Sequence, residues 1–253
     1  MILAVSDVHL GYDKCNKGAF LKFLDEIKDE KIDDLVLLGD FFDFWRRNNR
    51  EIVLENEDVV EKLNKLNAEN IHYIIGNHDY YMYNLGQRYG DHFPFTISKN
   101  LRLTSGEKTF YFIHGYEFEA LSLEPMNLEM YEEFSEKMCS SEDLIGGVAS
   151  RLWDVIQGTD IHDKLKTNTR ERLENLKETE KIYNFAISES KCFLLGMKVD
   201  ERLIFGHTHG PFINKEKTVA NTGSWIDELK SKEYQNSYVE INNGKMELKF
   251  FKH

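Results

Sequence analysis

Five short segments restrict this chain more than anything else in it. They are Asp7-Val8-His9, Gly39-Asp40, Gly76-Asn77-His78-Asp79, His114-Gly115 and Gly206-His207-Thr208-His209. Each follows an apolar run that reads as a buried strand. A sheet that ends several strands in Asp, Asn and His is assembling a metal site along one edge. The ligands are oxygen and imidazole with no thiolate, which suits manganese, iron, zinc, cobalt or nickel rather than a structural zinc. One ion cannot use so many ligands, so two are expected.

The order of the apolar runs predicts the sheet. Ile2-Leu3-Ala4-Val5 is a strand, and Ala19, Phe20, Phe23, Leu24 and Ile27 follow at helical spacing. A second strand is read at 35–38, a helical region through Ile52, Val53, Val59, Val60, Leu63 and Leu66, and a third strand at 71–75. This β-α-β-α-β order implies a largely parallel sheet covered by helices. Ligands gather at the carboxyl ends of such strands, where Asp7, Asp40 and Asn77 stand. A further strand at 109–113 ends at His114.

Residues 115–206 are mostly helical in pattern. Tyr131, Phe134 and Met138 fit one helix face, and Leu144, Val148, Leu152 and Val155 fit another. Leu165, Leu173, Leu176, Ile182, Tyr183, Phe185 and Ala186 suggest a long charged helix or helix pair. Gly146-Gly147 and Gly158 are plausible bends, and the charged run 163–181 reads as a solvated helix face. This is too much for a loop. The expectation is one domain over 1–253 with a helical insert at about 117–198. Its apolar faces either pack on the core or form a substrate-facing lid. The chain then returns to strands at 203–205. A hairpin closes it, with Tyr238-Val239-Glu240-Ile241 and Met246-Glu247-Leu248-Lys249-Phe250 joined through Asn242-Asn243-Gly244-Lys245.

A net charge of −12 argues against a broad nucleic-acid surface, which needs Lys and Arg to displace counterions. Bound divalent ions would still make the pocket itself positive. Cys15, Cys139 and Cys192 are odd in number and form no CxxC, so free thiols in a reducing compartment are expected. The chain opens directly on a strand and holds no apolar run of roughly 20 residues. A cytoplasmic protein is expected, with peripheral contact with a membrane surface left open. Oligomeric state is not legible.

The five blocks and their order closely resemble the calcineurin-like metallophosphoesterase superfamily: Asp-x-His, Gly-Asp, Gly-Asn-His-Asp, a lone His, then Gly-His-Thr-His. The resemblance spans residues 7–209. It implies an α/β fold, a four-layer α/β/β/α sandwich of two mixed sheets flanked by helices. It also implies a metal-dependent phosphoric ester hydrolase with two divalent ions, manganese foremost. One ion would take Asp7, His9, Asp40 and His209, and the other Asp40, Asn77, His114 and His207, with Asp40 as the bridge. A metal-bridging hydroxide would attack phosphorus. His78 is not a ligand in the pattern. It would serve as general acid or transition-state stabiliser, oriented by Asp79. Asn221-Thr222-Gly223-Ser224 resembles a later block near the site.

Within the superfamily, Ser6-Asp7-Val8-His9-Leu10-Gly11 and Gly39-Asp40-Phe41-Phe42-Asp43-Phe44-Trp45 look most like UDP-2,3-diacylglucosamine pyrophosphohydrolases. Those enzymes carry Arg where this chain has His78, and Asp where it has Tyr116. The expected reaction is therefore the general one, cleavage of a phosphodiester or pyrophosphate bond in a phosphate-ester or nucleotide-type substrate. The alternatives are a nuclease or cyclic-nucleotide phosphodiesterase, and a non-catalytic protein-binding scaffold. Trp45, Arg46 and Arg47 are the candidate substrate contacts, the arginines as a clamp on a second phosphate. Phe41, Phe42 and Phe44 either pack under their loop or form an apolar wall. Asp43 is a candidate for holding a nearby His in its tautomer. Tyr80, Tyr81 and Tyr83 could line the substrate mouth. His72, His92, His162 and His253 are read as structural or exposed.

Overall fold

The structure, a computed structural model, describes residues 1–122, 127–140, 180–227 and 234–252. The expected helix faces at Leu144, Val148, Leu152, Val155, Leu165, Leu173 and Leu176 lie outside these, as do the bends at Gly146-Gly147 and Gly158. So do His162, His253 and all but the last two residues of the charged run 163–181.

Strands β1 (Ile2–Val5), β2 (Ile32–Leu38) and β3 (Ala68–Ile74) pair in parallel, and β4 (Thr96–Ser98) extends them beyond β3. The closing hairpin, β10 (Ser237–Asn242) and β11 (Lys245–Phe250), adds on the other side, antiparallel to β1. The resulting order is β11-β10-β1-β2-β3-β4. The second sheet runs β5-β6-β7-β9-β8, from β5 (Asn100–Ser105), β6 (Lys108–Ile113), β7 (Arg202–Phe205), β9 (Val219–Asn221) and β8 (Phe212–Ile213). Its inner neighbours β6, β7 and β9 are parallel, with antiparallel edges. Both sheets are mixed.

Side-chain alternation builds the four layers. On one face of the first sheet Ile2, Ala4, Val36, Leu38 and Ile74 meet Phe110, Phe112, Ile204 and Ala220 of the second, forming the core between the sheets. On the other face Leu3, Val5, Leu35, Leu37 and Tyr73 pack on helix α1 (Lys17–Ile27) and on α3 (Glu57–Asn64). On the far face of the second sheet Tyr111, Ile113, Leu203 and Phe205 pack on Phe118 and on Ile182 and Ala186 of the helical stretch 180–187. Strands buried on both faces lose polar alternation, which is why they read as continuous apolar runs. Each such side chain contributes roughly 1.5–3 kcal/mol by burial.

Three local outcomes refine the expected pattern. The helical region through Ile52–Leu66 is two helices, α2 (Asn49–Glu55) and α3, broken at Asn56. The Asn56 amide donates to the Ile52 carbonyl at 2.7 Å, and its backbone leaves helical angles there. Strands β4, β5, β8 and β9 carry too few or too polar residues to show as apolar runs. Phe41, Phe42 and Phe44 are buried in the core and line an apolar cavity of about 590 Å³ with Val53, Leu54 and Leu85.

The described part of the insert is helical. Helix α6 (Leu128–Ser140) packs against both α5 (Tyr116–Ser122) and α4 (Tyr81–Tyr89), and α7 (Ser190–Leu195) precedes β7. Helix α6 buries Tyr131, Phe134, Ser135, Met138 and Cys139. Among the described residues, no helix is long and apolar enough to cross a membrane.

Candidate metal centre

The parallel strands point their carboxyl ends the same way, so the loops after β1, β2, β3, β6 and β7 meet at one edge of the sandwich. The backbone bends sharply there. Asp7 (φ 52°), His9 (51°), Asp40 (49°), His207 (66°) and His209 (56°) all occupy the left-handed region. Asp, Asn and His tolerate that region better than other non-glycine residues, and the bend turns each side chain into the site. Two glycines make the close packing feasible. A Cβ at Gly39, itself at φ 81°, would overlap the His114 ring, and one at Gly76 would overlap the Asp40 carboxylate.

Two ligand clusters result. In the first, Asp7 Oδ1 lies 3.3 Å from His209 Nε2 and 3.8 Å from His9 Nε2, and the two imidazole nitrogens are 3.3 Å apart. Ligands at about 2.0–2.2 Å around a tetrahedral ion stand roughly 3.3–3.6 Å from one another, so two edges of this triangle match and the third is about 0.2 Å longer. In the second, Asp40, His114 and His207 offer ligand atoms within 4.8 Å of one another. Asp40 Oδ2 lies 3.2 Å from His114 Nε2 and 3.7 Å from His9 Nε2, between the clusters. Asp7 Oδ1, Asn77 Oδ1 and His114 Nε2 are buried and make no hydrogen bond among the described residues. Buried polar atoms are nearly always partnered, so three orphans converging from separate strand ends mark a place built for a cation.

The histidines are held for ligation. His9 Nδ1 is 3.0 Å from Asp43 Oδ2, and His114 Nδ1 donates to the Leu38 carbonyl at 2.9 Å, so each presents Nε2 to the cluster. His207 is the reverse: its Nε2 is engaged by Glu119 at 2.8 Å, which leaves Nδ1 for ligation. The carboxylates are fixed as well. The His78 backbone N–H donates to Asp40 Oδ1 at 2.8 Å, and that of His207 to Asp7 Oδ2 at 2.9 Å. Ser6 Oγ also donates to Asp7 and bonds Thr222 Oγ1 at 2.5 Å. Asn221 donates to the Gly206 carbonyl at 2.6 Å, so the later block steadies the Gly-His-Thr-His loop.

Electrostatics agree with a cation site. Burial opposes charge on Asp7 and Asp40, yet the His114 imidazole and its neighbours hold both carboxyls below their usual range. Burial likewise opposes charge on His114, but Asp40 and Asp7 outweigh it and raise the imidazole to about 10. The carboxylates therefore draw positive charge into a dry site, and that charge can come from a proton or from metal ions.

His78 stands beside the ligands. Its Nδ1 is 3.0 Å from Asp43 Oδ1, and the Trp45 ring stacks on it with centroids 4.2 Å apart. Asp43 is thus the group that orients His78 as well as His9. Asp79, expected to orient His78, instead accepts from the Gly76 and Phe41 backbones and from the Tyr73 hydroxyl at 2.6, 2.7 and 2.6 Å. It locks the loop after β3 to the loop after β2. Burial, then the charge of Asp40, raises its carboxyl to about 6.

The expected substrate contacts are already engaged. Trp45 sits between His78 and Phe134 of α6. Arg46 pairs with Asp43 and covers the Tyr12 ring at 4.0 Å. Arg47 gives both terminal nitrogens to Glu55 at 2.7 and 2.6 Å, so its fork is not aimed into the cluster. Tyr80 is buried with Lys99 above its ring, Tyr83 also borders Lys99, and Tyr81 lines the apolar cavity. His72 is a structural residue between Asp34 and Thr96, and His92 is exposed. Sequence reasoning missed Glu119. Its one signal was an acidic residue between Phe118 and Ala120, both buried.

The model of the calcineurin-like phosphoesterase family matches residues 1–211, and the chain belongs to that family. No curated protein matches the sequence. Among solved structures, a dimetal phosphatase from Danio rerio is similar at 12% identity and a TM-score of 0.51, covering 98% of this chain and 94% of that one. A Vps29 single mutant from Entamoeba histolytica is similar at 13% identity and a TM-score of 0.41, covering 98% and 96%. A cold-active protein-tyrosine phosphatase from a Shewanella species is similar at 13% identity and a TM-score of 0.38, covering 99% and 77%. At these identities the likeness concerns the fold alone.

Proposed function

We propose that this calcineurin-like phosphoesterase is a dinuclear enzyme that hydrolyses a phosphodiester or pyrophosphate bond. The observation that carries the reading is the set of orphaned, buried ligand atoms on Asp7, Asn77 and His114, flanked by imidazoles fixed in ligating orientation. One ion would be held by Asp7, His9, Asp40 and His209, the other by Asp40, Asn77, His114 and His207. Manganese heads the candidates, with iron, zinc, nickel and cobalt also suited to these donors. When bound, such a pair lowers the pKa of water to make a nucleophile and neutralises the phosphate oxygens.

The chain's own residues supply the rest. With Nδ1 committed to Asp43, His78 presents Nε2 at the edge of the ligand clusters. There, protonated on both nitrogens, the ring can donate a proton to a leaving oxygen or a hydrogen bond to a non-bridging one. Trp45 fixes the plane of that ring. Arg46, 40% exposed beside Asp43, remains the candidate cation for a second phosphate or an ester oxygen. An alcohol or phosphate leaving group benefits from protonation by such a histidine, and the helical segment beside the site offers area for the larger diester or pyrophosphate substrates.

The test joins metal counting to a substrate panel. Metal-replete protein should hold two ions by elemental analysis, with anomalous peaks on either side of Asp40. Fewer than two ions, or ions elsewhere, would sink the dinuclear reading. With Mn²⁺, activity is expected on bis-p-nitrophenyl phosphate or on a nucleoside diphosphate ester. Activity confined to monoesters would overturn the substrate class, and activity confined to cyclic nucleotides or single-stranded DNA would favour the alternatives.

A further inference from the structure

Among the described residues, the insert reaches a ligand imidazole through Glu119. Glu119, on α5, is 9% exposed, and its Oε2 takes both the His207 ring at 2.8 Å and the Tyr131 hydroxyl of α6 at 2.7 Å. A carboxylate only accepts, so the proton of neutral His207 is drawn to Nε2 and the lone pair is left on Nδ1, facing Asp40 and His114. The other ligand histidines with an assigned partner are steadied by the two sheets and their loops; His207 is steadied by the insert. Helix α6 is itself tied down nearby. The Tyr116 ring lies parallel to that of Tyr131 at 5.6 Å. Glu132 accepts from the Tyr116 hydroxyl at 3.0 Å and pairs with Lys99 at 2.7 Å. Cys139 Sγ donates to the carbonyls of Asn77 and His78 at 3.6 and 3.3 Å.

We infer that Glu119 is a positioning residue for the ion bound by Asp40, Asn77, His114 and His207, so that its carboxylate sets the affinity of that ion and not of its neighbour. The inference rests on the dinuclear reading of the site. Carboxylate partners of ligating histidines are worth about tenfold to a hundredfold in metal affinity. Glu119→Leu removes the acceptor, Glu119→Gln keeps an oxygen but loses the charge, and Glu132→Gln perturbs the packing of α6 without touching a ligand.

The experiment titrates metal-free protein with Co²⁺. It follows the visible absorption of the ion and assigns each step from anomalous peaks in crystals grown at limiting Co²⁺. Wild type should bind in two steps; a single step indicts the dinuclear reading itself. In Glu119→Leu the step beside His207 should weaken about tenfold to a hundredfold while the other stays within about twofold. Glu119→Gln should fall between, and Glu132→Gln should match wild type. Two wild-type steps with the His207 step unmoved in both Glu119 variants would overturn the inference. So would equal loss at both steps in Glu119→Leu and Glu132→Gln, which is the mark of a collapsed insert. If Glu119→Leu does not fold, Glu119→Gln and Tyr131→Phe carry the test, and an unchanged His207 step in both overturns it.

Discussion

Replacing Asp43 with Asn should damage one arm of the site and spare the other. Asp43 is fully buried and holds His9 through Oδ2 and His78 through Oδ1, each at 3.0 Å. Arg46 donates to Oδ2 as well. A guanidinium cannot accept a hydrogen bond, so in Asp43→Asn the amide oxygen stays toward Arg46 and His9, and the NH₂ group falls against His78 Nδ1. His78 then loses the carboxylate that stabilises its ring with a proton on both nitrogens, the form that donates from Nε2 while Nδ1–H is held. A hydrogen bond to a charged partner is worth about 1.5–3 kcal/mol, which is roughly a 10- to 150-fold loss in kcat at saturating Mn²⁺. Mn²⁺ affinity should stay within about threefold, because His9 keeps its oxygen. Asp43→Ala removes both contacts and should also weaken Mn²⁺ by about tenfold to a hundredfold. The assay is hydrolysis of bis-p-nitrophenyl phosphate across a Mn²⁺ series, with His78→Ala as reference. If Asp43 acts on kcat through His78, Asp43→Asn/His78→Ala is no slower than His78→Ala alone. Multiplied losses in that double variant would refute the argument. So would an Asp43→Asn enzyme with weakened Mn²⁺ binding and normal saturated kcat.

Gly76→Ala places a methyl group on the Asp40 carboxylate. It should cost about 1–3 kcal/mol in a melt, as overpacking does, and should abolish the thermal shift that Mn²⁺ gives wild type; a wild-type shift would count against the close approach. Arg47→Ala breaks only exposed pairs with Glu55 and Glu51, so KM for the diester should move less than about twofold and stability less than about 1 kcal/mol. A tenfold rise in KM would restore the phosphate clamp. Asp79 is raised from 3.8 to about 6, so the fold favours its protonated form. The stability this provides is present below about pH 4 and lost as pH rises through about 6, a change of about 3 kcal/mol. In metal-free protein, the advantage of wild type over Asp79→Asn should shrink by that order across the window; a flat difference curve would contradict it.

The sheet and the candidate ligands gathered at its edge were legible for a common physical reason. Strands buried on both faces are mostly apolar, and a residue that turns the chain at a left-handed angle is most often Gly, Asn, Asp or His. The boundary between Val5 and Asp7, or between Phe205 and His207, therefore marks both a strand end and a ligand. Strands β4 and β5 lacked the first signal. Thr96–Ser98 is three residues long, and Asn100–Ser105 alternates without one fully buried side chain. The partners of the ligands were harder to see. Asp43 lies three residues beyond Asp40, and only the folded loop shows that its two oxygens serve two histidines. Glu119 meets His207 across a long stretch of chain, a pairing that no local pattern encodes. Trp45, Arg46 and Arg47 fit a substrate contact by type, and only the folded chain shows that Trp45 stacks on His78, that Arg46 stays partly exposed beside Asp43, and that Arg47 is turned to Glu55.

The backbone itself argues that this edge was shaped for charge. Five ligand residues hold left-handed angles, a conformation that costs roughly 1–2 kcal/mol for an L-residue and somewhat less for Asp. Asp7 and Asp40 also lie buried together, each opposing ionisation of the other. Total stabilities are only about 5–15 kcal/mol, so strain on this scale persists only where the surrounding structure fixes it. Here it is fixed by Gly39 and Gly76, by Asp79 joining two loops, and by Asn221 bracing a third. The same rigidity means that the ligands need not rearrange to meet an ion, so binding energy goes into stabilising the folded chain rather than into ordering it. Loosening any one brace should therefore appear first as a weaker metal-dependent rise in melting temperature, before the fold itself is lost.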